Sequence, residues 1–185
     1  MLAYAIQIVT FIFAAFSGFL KQIAPPGGWN IQFAVGICSF AALVLLLLIS
    51  GLARRQTARR NRVWIAAGGV SLLIFLFLAF FYMDAFQSST YQYPPEAPDK
   101  RFVAGAVLTA EAEQYRLSNP GRTTAEMIAD FGGPQFSERA WTLASVRQSS
   151  LVLTVLYVCL VLSLFTAIFC LTEGLKIRIE TLASK

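Results

Sequence analysis

Four stretches of this chain are apolar on every face, and the polar residues gather between them. Residues 2–20, 32–52, 63–83 and 151–172 each supply about the ~20 apolar residues that cross a ~30 Å hydrocarbon layer. A helix that is hydrophobic all round lies in lipid or deep inside a large core. Too little polar sequence remains in 185 residues to wrap four such helices in a soluble fold. The pattern therefore predicts four transmembrane helices. Between the first two, Ala24-Pro25-Pro26-Gly27-Gly28 forbids helix continuation, because proline lacks the amide donor and glycine loses too much backbone entropy. Trp29, Trp64 and the cluster Phe80-Phe81-Tyr82 stand near span ends, where an aromatic belt is expected. No basic segment precedes the first span and no small-residue cleavage site follows it, so it reads as a retained helix and not as a signal peptide.

The polar stretch 84–149 predicts a helical cap. Its start, Tyr91-Gln92-Tyr93-Pro94-Pro95-Glu96-Ala97-Pro98, reads as a stiff extended linker. Helical spacing of Phe102, Val103, Ala106, Val107, Ala110 and Leu117 then predicts a helix over 101–117, ended by Ser118-Asn119-Pro120-Gly121. Thr123-x-x-Glu126 is a capping box that announces a shorter helix, with Met127, Ile128 and Phe131 on one face and Gly132-Gly133-Pro134 as its stop. Ser137 is expected to cap a third helix, with Phe136 and Trp141 as a hydrophobic staple. No breaker separates Glu138 from Glu173, so this helix should run straight into the fourth span. The expected outer-cap residues are Phe102, Val107, Met127, Phe131, Phe136 and Trp141. The fold class is thus all-α: a four-helix transmembrane bundle with a small helical extracytoplasmic cap inserted before a long continuous fourth helix. Its segments are 1–83, 84–149, 150–173 and a tail at 174–185.

Composition and charge orient this arrangement. Hydrophobic residues make up 57% and charged ones 14%, against about 25% charged in an ordinary soluble domain, and the mean hydropathy is +0.63. Five of the fifteen Lys and Arg lie in 53–62, at Arg54, Arg55, Arg59, Arg60 and Arg62, which marks that loop as cytoplasmic. Both termini then face the cytoplasm. The loop 84–149, with eight carboxylates against six cations, faces outside. The expected location is a bacterial inner membrane. Besides setting topology, the arginine loop is a candidate surface for anionic lipid or a cytoplasmic protein partner; without an accompanying aromatic or folded platform it does not predict direct nucleic-acid binding.

Candidate chemistry is sparse. There is no histidine, and Cys38, Cys159 and Cys170 all lie inside apolar blocks, so neither a His-based site nor a disulfide framework is expected. Glu111 and Glu113 point apart at i,i+2. Glu126 and Asp130 share a face at i,i+4, but two carboxylates alone make a poor cation site. No phosphate loop, metal-ligand cluster or nucleophile motif occurs, so no metal, cofactor or enzymatic activity is expected. The spans carry Gln7, Thr10, Ser17, Ser39, Ser71, Thr154, Ser163 and Thr166 but no ionisable residue near the midplane, which disfavours coupled transport. Small residues at Ala14, Gly18, Gly68, Gly69 and Ser71 predict close helix packing, within a protomer or between copies in a homo-oligomer.

Four spans with a long outer loop before the last resemble the tetraspanin layout, but tetraspanins carry Cys-Cys-Gly and paired cysteines in that loop, where 84–149 has none. The whole-chain plan also resembles small four-span membrane components of bacterial phage-defence operons, such as the Kiwa membrane subunit. That resemblance is one of topology and assigns no residue. The leading expectation is a non-enzymatic, homo-oligomeric sensor or scaffold in antiviral defence that couples the outer cap to a cytoplasmic partner. The alternatives are an oligomeric pore or membrane-disrupting effector, and an accessory subunit of a larger membrane complex.

Overall fold

The computed structural model describes residues 24–26, 28–54, 61–94 and 100–183, with side chains for 24–26, 36–52, 62–94 and 100–175. The chain is mostly helical and divides into two compact units. One comprises residues 1–24, 33–79 and 157–185; the other comprises 25–32 and 80–156. The expected span 2–20 lies outside the described residues.

Among the described residues of the first unit are most of α1 (Gly28–Arg54), the start of α2 (Asn61–Ser89) and most of α6 (Leu143–Ala183). Two stretches, Arg62–Ser89 and Leu143–Leu175, are long and apolar enough to cross a membrane, and Gly36–Leu52 is a shorter apolar helix. The burial pattern separates these helices. Among the described side chains of α1, at 36–52, a narrow stripe is buried, Cys38, Ala42 and Ile49, and on this part of α2 another, Trp64, Gly68 and Ser71. Both follow the 3.6-residue period. By contrast, α6 buries Tyr157, Leu160, Val161, Leu164, Phe165, Ala167 and Phe169, which at 3.6 residues per turn cover more than half of its circumference. Meanwhile Phe40, Leu47, Val70 and Leu73 stay exposed on α1 and α2. Soluble monomers rarely expose contiguous apolar surface on that scale.

The join between α2 and α6 needs small residues. A Cβ on Gly68 would lie 2.7 Å from Leu171 Cγ and 3.2 Å from the Leu171 amide nitrogen, and Ser71 Oγ donates to the Ser163 carbonyl at 2.9 Å. Gly69, one position on, has nothing within 4 Å of where its Cβ would stand. The expected packing seam at 68–71 is thus divided. Gly68 and Ser71 pack against the same chain's last helix, and Gly69 is open.

The second unit is not all-α. An antiparallel pair, β1 (Thr90–Gln92) and β2 (Arg101–Val103), aligns Thr90 with Val103, Tyr91 with Phe102 and Gln92 with Arg101. This corrects the helix expected over 101–117: it begins only at Ala110, as α3 (Ala110–Ser118). The backbone of 104–109 instead bonds at long range. Ala104 N–H donates to the Ser89 carbonyl at 2.8 Å, Thr109 N–H to that of Ala140 at 3.0 Å, and Leu108 forms an isolated antiparallel bridge with Trp141. Glycine at 105 permits that approach, since a Cβ there would overlap Trp141 Cβ at 2.6 Å and also Ser145 Oγ. Thr109 is the cap of α3, its hydroxyl accepting from the Ala112 amide at 3.2 Å, and Glu111 and Glu113 in the first turn suit the positive end of the helix dipole.

The same pairing corrects the long rod. α5 (Ser137–Ala140) stops at Trp141, whose φ −128° and ψ 151° are extended, and Thr142 N–H donates to the Val107 carbonyl at 3.1 Å. The final helix therefore starts at Leu143 and not at Ser137, and it runs past Glu173 to Ala183. Ser137 is no cap either: Phe136 holds that position without a side-chain bond. The staple does not take the expected form. Phe136 lies over Gly132 and is half exposed, while Trp141 turns into the core. The capping box of α4 (Thr124–Asp130) forms as expected, with Thr123 Oγ1 accepting from the Glu126 amide and Glu126 Oε2 from that of Thr123 at 2.7 Å. The core of this unit joins Tyr91, Ala112, Met127, Ile128, Phe131, Ala140 and Trp141.

Candidate functional site

The turn between α3 and α4 builds a cavity. Asn119-Pro120-Gly121 reverses the chain, with the Arg122 amide donating to the Asn119 carbonyl at 3.3 Å and Gly121 at φ 102°, a backbone conformation that side chains with a Cβ rarely adopt. The turn sets Arg116, in the last turn of α3, and Arg122, just before the α4 cap, on one cavity of about 240 Å³. Leu108, Met127 and Trp141 contribute apolar lining; Asn119 and Thr124 add polar groups. None of the lining residues is acidic.

The carboxylates of this unit are engaged nearby. Glu126 accepts from Thr123, and the Thr123 backbone and hydroxyl donors hold its carboxyl below the usual glutamate value. Its ion pair with Arg122, at 3.9 Å and about half exposed on each side, is long and screened by water. Asp130 accepts from the Tyr115 hydroxyl, and this bond raises the phenol above its ordinary value. Glu111 pairs with Arg139, whose Nε approaches at 3.3 Å, and the hydrogen bond raises the guanidinium value further. Arg139 also lies over the Phe131 ring at 5.2 Å. Arg116 has neither an ion pair nor a side-chain hydrogen bond among the described residues. Two guanidiniums thus meet the cavity, one unpaired and one weakly paired.

Of the outer-cap residues expected from sequence, Met127, Phe131 and Trp141 are buried together, Phe102 is half-buried on β2, and Val107 and Phe136 are exposed. Only Met127 and Trp141 line the cavity. In the arginine loop, Arg62 is exposed on α2 and the Arg54 backbone ends α1; Arg55, Arg59 and Arg60 lie outside the described residues, as do Ala14 and Gly18. The carboxylates Glu126 and Asp130 serve the cap and Tyr115. Among the described residues no three His, Cys, Asp or Glu side chains converge. What the sequence reading missed is Arg116 and Arg122, counted there only as charge; their position on either side of Asn119-Pro120-Gly121 was the available signal. It also missed Tyr91, whose ring tilts against Trp141 at 5.2 Å between centroids. The Tyr91 hydroxyl is buried with no hydrogen-bond partner among the described residues, and burial pushes its value up to about 12.

Comparison with family models, with curated proteins and with solved structures found no match.

Proposed function

We propose that this chain is a non-enzymatic four-span protein of a bacterial inner membrane that reports an event at its outer unit to the cytoplasm. The observation that carries the reading is α6: 41 residues from Leu143 to Ala183 without a break. At about 1.5 Å per residue it is about 60 Å long, twice a ~30 Å hydrocarbon layer, and its residues belong to both compact units. In this reading the signal is a shift of that helix. A cytoplasmic protein meets the loop containing Arg54, Arg55, Arg59, Arg60 and Arg62 together with the tail. The open position at Gly69, beside exposed Ala66 and Ala67, supports a homo-oligomer whose copies pack on that face of α2. Likeness of layout supports antiviral defence as the setting.

The hydroxyls of the spans support packing more than a conduit. Thr154, Ser163 and Thr166 donate to backbone carbonyls of α6, and Ser71 donates across to Ser163. Inserting Gly-Gly after Gln148 tests the proposal, since each glycine costs about 1 kcal/mol of helix propensity and interrupts the rod locally. The expected result is loss of protection against phage at unchanged expression and oligomeric mass. Retained protection, with ion current through planar bilayers, would replace the sensor by the pore.

A further inference from the structure

We propose that the cavity between α3 and α4 binds a small oxyanion, a carboxylate or phosphate. The inference rests on reading the outer unit as the sensory part and names the chemistry of what it senses. Arg116 is the first ground: a guanidinium on a cavity wall with no partner of its own among the described residues presents forked donors matched to an oxyanion. Arg122 is the second. It reaches the same cavity from the other side of the turn, and its ion pair with Glu126 is long, at 3.9 Å, and about half exposed on each side, so water screens it. Third, no acidic residue lines the cavity: the carboxylates of Glu126 and Asp130 are bonded to the lining residues Thr123 and Tyr115 and do not open onto it. Asn119 and Thr124 add polar groups beside the arginines, so the wall is more polar than apolar, while Met127 and Trp141 are largely buried behind it. Size sets the scale: 240 Å³ is below the roughly 300–1,000 Å³ of sites for drug-sized ligands. A small molecule bearing one anionic head is the fitting class.

Such an oxyanion can be a free metabolite or the phosphate of a lipid headgroup, and the experiment separates them. The full chain is purified in detergent with Trp29 and Trp64 changed to Phe, leaving Trp141 on the cavity wall as the only indole. Benzoate, phenyl phosphate and uncharged benzyl alcohol are titrated against its fluorescence. Saturable binding of at least one of the two anions is expected, with benzyl alcohol weaker by about tenfold or more, the scale of one charge-assisted hydrogen-bonded contact. Arg116→Met and Arg122→Met should each weaken anion binding by about tenfold, while Arg147→Met, an exposed arginine that does not line the cavity, should leave it unchanged. Both arginine positions are exposed, and unchanged circular dichroism confirms that the variants fold. Repetition in nanodiscs assigns the source: displacement of the bound anion by phosphatidylglycerol but not phosphatidylcholine identifies a lipid headgroup, and equal binding in both identifies a soluble ligand. No saturable response to either anion, equal affinity for benzyl alcohol, or unchanged binding in both Met variants would overturn the proposal. Failure of the sensory reading looks different: anion binding is normal and lost in Arg116→Met, yet the variant protects cells as well as its parent.

Discussion

The two units of this protein solve the burial problem in different ways. In the first, α6 buries Tyr157, Leu160, Phe165 and Phe169, while its join to α2 depends on small residues. Gly68 admits Leu171, and Ser71 reaches a backbone carbonyl, so close approach holds that join, and many apolar side chains of α1 and α2 remain exposed. In the second, large side chains do the work: Tyr91, Phe131 and Trp141 pack in one core, with hydroxyl caps and paired charges around it. Where lipid is the surrounding solvent, burying apolar area gives no gain over leaving it exposed, and complementarity of small surfaces decides packing. Where water surrounds the unit, apolar burial drives folding and every polar backbone group needs a partner.

The sharpest way to break this contrast is at Trp141. Trp141→Ala removes the ring that packs against Tyr91, and a buried aromatic truncated to alanine costs about 3–5 kcal/mol. Hydrogen exchange should therefore show loss of protection in β1, β2, α3 and α4, with amides of 160–170 in α6 still protected. Equal loss in both units would show that they do not fold by separate rules.

A smaller effect is expected in the first unit, and it depends on which of two adjacent glycines is changed. Gly68→Leu forces overlap with the Leu171 side chain and backbone and should cost about 1–3 kcal/mol, read as a fall in thermal unfolding temperature in detergent. Gly69→Leu meets open space within the chain. It should leave that temperature unchanged but reduce the oligomeric mass by light scattering. Equal behaviour of the two variants would remove the division between an inner and an outer face of α2.

Two finer tests concern polar groups of the outer unit. Tyr91→Phe removes a buried hydroxyl that has no partner among the described residues, so it should stabilise that unit by about 1 kcal/mol, since an unsatisfied buried group carries a desolvation cost of about 1–3 kcal/mol. A destabilised Tyr91→Phe variant would mean that the hydroxyl makes a bond of its own. The smallest effect is pH-dependent. Because the folded value of Glu126 is depressed by its Thr123 donors, its contribution is present above the ordinary glutamate range and fades as pH falls through the depressed value. The amide shift of Thr123 should follow that acidic titration and lose it in Glu126→Gln. An amide shift that titrates unchanged in the variant would assign the effect to another carboxylate.

Local sequence sufficed for features whose causes are local. Apolar runs without a charged residue announced the helices at 32–52, 63–83 and 151–172, because a helix satisfies its own backbone regardless of what it packs against. Thr123-x-x-Glu126 announced the α4 cap, since both partners lie within one turn. Gly132-Gly133-Pro134 announced its end, with both glycines at positive φ. Tertiary structure alone decided the rest. Residues 101–109 carry a helical spacing of apolar side chains, yet they form no helix because their amides and carbonyls meet Ser89, Ala140 and Thr142 from distant parts of the chain. That same pairing straightens Trp141 and moves the start of the last helix to Leu143, although nothing between Glu138 and Glu173 is a helix breaker. The cavity is of this kind as well. Arg116 and Arg122 are ordinary surface charges in the sequence, and they become a pair on one cavity only when the turn at 119–121 brings α3 and α4 over Trp141. Periodicity records what each residue prefers next to its neighbours in sequence; it does not record which distant donor and acceptor the folded core brings within 3 Å.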